Sequence, residues 1–67
     1  MEIRINGNDV TIPENLTTIQ DVINHYQFKS PIIIVEHNDH ILKKEDYDQT
    51  KLKPGDHIEF VQFVGGG

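Results

Sequence analysis

The chain has 67 residues, no cysteine, and six basic against eleven acidic side chains, for a formal net charge of −5. That suits one small domain, leaves no thiol for disulfides, thiolate metal sites or cysteine chemistry, and fits a reducing compartment. The acidic balance argues against nucleic acid, whose binding draws most of its affinity from neutralised phosphates; it favours a basic protein partner and also serves solubility.

Met1-Glu2-Ile3-Arg4 lacks the basic and apolar regions of a signal peptide, and no apolar run approaches the roughly 20 residues of a membrane span. A cytoplasmic protein is therefore expected, with no membrane partner. Met1, Ile3 and Ile5 alternate with Glu2, Arg4 and Asn6, which predicts a strand with one buried face. Asn6-Gly7-Asn8 supplies positive-φ residues for a tight hairpin. Val10 and Ile12 form the return strand, which Pro13 ends by removing a ladder donor.

A helix follows. Thr17 and Gln20 have capping-box spacing, and Thr18 serves equally well as the cap. Ile19, Val22, Ile23 and Tyr26 recur at i, i+3, i+4 and i+7 as one apolar stripe. Gln20, Asp21, Asn24 and Gln27 face away, and Phe28 packs under the helix end. Pro31 blocks continuation and biases Ser30 to extended geometry.

Ile32-Ile33-Ile34-Val35 is an unbroken β-branched run, the pattern of a strand buried on both faces or near the sheet centre. Asn38-Asp39 suits a two-residue turn, with Ile41-Leu42 as a short returning strand. The polar stretch from Lys43 to Lys51 reads as a surface loop with one helical turn, anchored by Tyr47. Leu52 re-enters the core. Lys53-Pro54-Gly55-Asp56 has the chemistry of a type II turn, and His57-Ile58-Glu59-Phe60 alternates as the last strand.

The order is hairpin, helix, strand, short strand, loop, strand. This α+β pattern matches a β-grasp, or ubiquitin-like, roll: a mixed four- to five-stranded sheet with one main helix packed on one face. The first and last strands should be parallel neighbours at its centre. The expected organisation is a β-grasp domain over residues 1–64 and a flexible glycine tail over residues 65–67. A run of glycine holds no fixed shape alone and exposes no side chain, so such a tail can thread a channel too narrow for any other residue.

Three features resemble the small sulfur carriers of thiamine biosynthesis, the ThiS family, over the whole chain. They are the Asn6-Gly7 turn, Val35-Glu36-His37-Asn38 in the middle, and Gly55-Asp56-His57-Ile58-Glu59-Phe60-Val61 running on to terminal glycines. The resemblance implies that an E1-like adenylyltransferase uses ATP and Mg²⁺ to adenylate the C-terminal carboxylate. Sulfur from a donor system then replaces AMP, and the thiocarboxylate supplies thiazole synthase. Gly67 is the residue that would be modified, with Gly66 and Gly65 as its threading partners. Three terminal glycines stand where the minimal family ending is two, so Gly65 reads as added reach and Gly67 as the natural end. Ile41-Leu42-Lys43-Lys44 departs from the form expected there, in which a proline and an arginine are common.

The chemistry agrees. A carboxylate is a poor acyl donor until adenylation supplies a leaving group, and this chain has no means of positioning ATP, because its glycine run lacks a following helix and lysine. The expected role is carrier and substrate, not enzyme, with no cofactor of its own and a monomeric free state.

If alternation continues past Phe60, Val61 and Phe63 join His57 and Glu59 on the open face, and an exposed apolar patch of this kind marks a partner site. The alternative is a β-bulge or a register that buries both. Val64 and Glu59 complete the candidate contact set, with Asp56, Glu45, Asp46 and Asp48 as a charged rim or ordinary solvated surface. His25, His37, His40 and His57 invite a metal reading, but zinc needs three or four converging ligands and nothing in their spacing fixes convergence; they read as surface histidines. Rival functions are a molybdopterin-type sulfur carrier, a ubiquitin-like modifier, and a non-covalent ubiquitin-like binding module.

Overall fold

The computed structural model describes residues 1–28 and 31–62, the side chain of Ile33 excepted. Five strands and one helix follow in chain order: β1 (Glu2–Ile5), β2 (Asn8–Thr11), α1 (Ile19–Tyr26), β3 (Ile32–His37), β4 (His40–Leu42) and β5 (His57–Gln62), with a 3₁₀ turn at Lys44–Asp46. The strands form one sheet in the order β2-β1-β5-β3-β4. β1 and β5 run parallel, and every other pairing is antiparallel. This is the expected β-grasp arrangement, with the last strand at the sheet centre.

Both hairpins turn on asparagine. Asn6 and Gly7 have φ of 49° and 82°, and Asn38 and Asp39 have φ of 49° and 70°. Two successive left-handed residues match the strand twist. Asn8 belongs to β2 and has no positive φ, so the first turn uses two residues rather than three. Gly55, at φ 85°, takes the positive-φ position expected of the Pro54-Gly55 turn, and the Asp56 amide closes that turn on the Lys53 carbonyl at 3.1 Å.

The helix is capped by Thr18, not Thr17, and its partner is Asp21, not Gln20. Thr18 Oγ1 accepts from the Asp21 amide at 3.2 Å, while Asp21 Oδ2 accepts from the Thr17 and Thr18 amides at 2.9 and 3.1 Å. A carboxylate at the third helical position satisfies amides that have no partner inside the helix. Gln20 instead donates to Asn24 Oδ1 at 3.0 Å. The donated backbone hydrogen bonds, that from Thr17 first, hold the Asp21 carboxyl below the ordinary carboxylate range. Thr18→Ala should therefore cost about 1 kcal/mol, read as a lower urea midpoint with an unchanged slope.

Ile19 and Val22 of α1 are buried with Ile3, Ile12, Leu16, Val35, Leu52, Ile58 and Phe60. Ile23 packs at the margin, and Tyr26 is exposed at the outer edge of the apolar stripe. Phe28 lies below the helix end, its ring centroid 4.9 Å from that of Phe60. The polar segment after β4 has a use that composition does not disclose. Its Tyr47 and Thr50 carbonyls accept from the Gln20 and Ile19 amides at 3.0 and 3.1 Å. The segment thus satisfies donors of the first helical turn while Tyr47 packs against the core.

Candidate functional site

β5 leads directly into residues 63–67, and three side chains hold it: Asn6 and Asn38 bond the strand from distant parts of the chain, and Asp56 anchors the turn immediately before it. Asn6, just beyond β1, accepts from the Phe60 amide at 2.8 Å and donates from Nδ2 to the Phe60 carbonyl at 3.4 Å. Its amide group thereby substitutes for a missing strand residue. Asn38 does the same at the other end, accepting from the His57 amide at 2.9 Å through Oδ1. Its backbone amide donates to the His57 carbonyl at 2.9 Å.

Asp56 is the third, and it is only 5% exposed. Its carboxylate accepts from the Lys53 amide at 2.8 Å and from Asn38 Nδ2 at 3.1 Å, and it lies 2.8 Å from His37 Nε2. Burial alone would push the carboxyl up. The hydrogen bonds from His37, Asn38 and the Lys53 amide outweigh it and hold the group below its ordinary range. This corrects two sequence readings. Asp56 is not a solvated rim residue, because its oxygens are consumed inside the turn. His37 is not an ordinary surface histidine, because its ring is largely covered and paired with that carboxylate.

Beyond the turn, Ile58 and Phe60 point to the helix while His57, Glu59 and Val61 face outward. Alternation therefore continues to Val61, which is 42% exposed. Among the described residues the register between β3 and β5 shifts between Ile32 and Ile34 of β3. Cross-strand register builds the rest of the open face. Ile34 stands opposite Val61, Glu36 opposite Glu59, and Ile41 opposite Glu36. Ile41 is 70% exposed. The patch is thus wider than the sequence implied, because Ile34 and Ile41 join it by pairings that no local pattern encodes. Glu45, Asp46 and Asp48 do not rim it, since their segment docks on the helix N-terminus, on the covered side. Phe63, Val64, Gly65, Gly66 and Gly67 lie outside the described residues, as does the proposed boundary at residues 64 and 65.

Among the described residues no three His, Asp or Glu side chains converge on a metal position. No described helix is long and apolar enough to cross a membrane. A depression of about 540 Å³ lies on the helix side around Ile23, Phe28, Ile32, Lys44 and Tyr47. Among the described residues its ionisable lining is Lys44 and Tyr47, with no carboxylate or imidazole beside them.

The profile of the ThiS family matches residues 3–67. The chain belongs to the ThiS family. It is 45% identical over 65 residues to the sulfur carrier protein ThiS of Bacillus subtilis, covering 97% of this chain and 98% of that one. The crystal structure of the ThiS thiamine biosynthesis protein from Geobacter metallireducens superposes with a TM-score of 0.83 over the full length of both chains, at 29% identity. The whole chain also matches, at 31% identity, a segment that makes up 20% of a thiazole synthase from Paramagnetospirillum magneticum. As a ThiS-family member the protein is a sulfur carrier of thiamine biosynthesis, a carrier rather than a catalyst. The molybdopterin and modifier alternatives give way to that assignment.

Proposed function

We propose that the working group of this carrier is the Gly67 carboxylate, presented by β5 through Gly65 and Gly66. In the first step a carboxylate oxygen attacks the α-phosphorus of ATP, held with Mg²⁺ by an E1-like adenylyltransferase, and pyrophosphate leaves. In the second a sulfide-level nucleophile from the donor system attacks the acyl carbon and AMP leaves, giving the thiocarboxylate. Thiazole synthase then takes the sulfur. The work is divided by chemistry: the partner supplies ATP binding and charge stabilisation, and the carrier supplies a positioned thread.

The observation that carries this reading is the way β5 is held. The strand ending at Gln62 is bonded by Asn6 and Asn38 from distant parts of the chain, and Asp56, the residue before it, ties its leading turn to His37, Asn38 and Lys53. Such a base sets where a short tail can reach. The thiazole synthase that contains a carrier-like segment supports the partner assignment, because joining two modules raises their effective concentration. The open face around Val61 and Glu59 is the docking surface in this reading. The carrier acts in the cytoplasm and is monomeric when free.

The test is an intact-mass measurement on the full chain incubated with the host's adenylyltransferase, sulfur donor, ATP and Mg²⁺. The expected result is a gain equal to one oxygen replaced by one sulfur, localised to the C-terminal peptide. An unchanged mass, with the same enzymes active on another carrier, would refute the assignment and favour a binding module.

A further inference from the structure

The open face carries an arrangement that the fold itself does not need. Glu36 and Glu59 are directly opposite on β3 and β5, where cross-strand Cβ atoms lie only about 5 Å apart. Like charges so placed destabilise a sheet. Among the described residues neither carboxylate has an ion-pair partner, and Arg4, on the same face, is bound to Asp9 at 3.0 Å. His57, two residues from Glu59 on β5, also faces outward. Apolar groups flank the two carboxylates: Ile41 is opposite Glu36, while Val61 and Ile34 form the next row.

We propose that this face is the seat of a basic side chain of the adenylyltransferase, an arginine or lysine that lies between Glu36 and Glu59 while apolar neighbours cover Val61, Ile34 and Ile41. The inference rests on the carrier reading above and adds the chemistry of the partner. Charge complementarity selects the adenylyltransferase. That enzyme must bring the polyphosphate of ATP against the carboxylate tail of a chain of net charge −5, and only a basic surface offsets the repulsion. The guanidinium fork, which bonds two carboxylates at once, suits the site better than a point charge.

The experiment compares wild type with Glu36→Gln/Glu59→Gln, using purified host adenylyltransferase and the full chain. The expected result is affinity weaker by about tenfold, with a flatter salt dependence, while the thermal midpoint stays level or rises because the repulsion is gone. Glu45→Gln, on the covered side, should bind as wild type. Unchanged affinity and salt dependence in the double variant would overturn the inference, and so would a fall in stability that tracks the loss of binding. The mass assay on wild type is a separate arm. Sulfur loading of wild type beside unaltered binding by the double variant sinks the inference alone, whereas absence of loading sinks the carrier reading itself.

Discussion

Deleting Gly67 should abolish sulfur loading and leave the fold intact. The truncated chain still ends in Gly-Gly, so the deletion separates two requirements: the identity of the last residues and their distance from the sheet. An extended residue spans about 3.5 Å. If β5 is held by Asn6, Asn38 and Asp56 and docked through its open face, removing one residue withdraws the carboxylate by about that distance. A misplacement of about 1 Å costs on the order of 10²-fold in a positioned reaction, so loading should fall below detection. Stability should change by less than about 0.5 kcal/mol, because residue 67 lies beyond β5 and its anchoring bonds. Thermal melting and intact mass on the same sample check both halves. Loading at the wild-type rate would show that the reach of the tail is not set by the sheet.

The strands were legible because their signal is local. Period-two alternation located β1, β2 and β5, and Asn-Gly, Asn-Asp and Pro-Gly located the turns. The parallel β1–β5 pairing followed from the crossover length. What escaped depends on partners far apart in sequence. Asp56 reads as a turn former because aspartate favours turns, yet the same short carboxylate reaches His37 and Asn38, nineteen and eighteen positions away, and becomes buried. Ile34 reads as core within a β-branched run, but the register with Val61 turns it to the open face. Thr18 displaced Thr17 as cap because Asp21 reaches two amides that the longer Gln20 leaves for Asn24. Within the site, Glu59 and Val61 were found from β5 alone; Ile34, Glu36 and Ile41 needed the sheet.

Asp56→Ala should be among the most damaging single substitutions in the described chain. The carboxylate serves three donors: the Lys53 amide, Asn38 Nδ2 and His37 Nε2. Truncation removes the acceptor of all three hydrogen bonds, at about 1 kcal/mol each and so about 3 kcal/mol together. A chain of this length has a total stability of roughly 3–10 kcal/mol, so the thermal midpoint should fall by at least about 12 °C. The pH dependence gives the same bond a second reading. The folded-state pKa of Asp56 lies below its unfolded value of about 3.9. Its contribution is therefore fully present above that unfolded value and is lost as pH falls through the folded one. Asp56→Asn keeps an acceptor oxygen but cannot ionise. Its deficit against wild type, from urea midpoints, should be constant near neutrality and shrink below about pH 4. A deficit that stays constant down to the lowest pH at which both fold would mean that packing, not the ionised carboxylate, holds the turn. Because that turn begins β5, the same variant should also slow sulfur loading at temperatures where it remains folded.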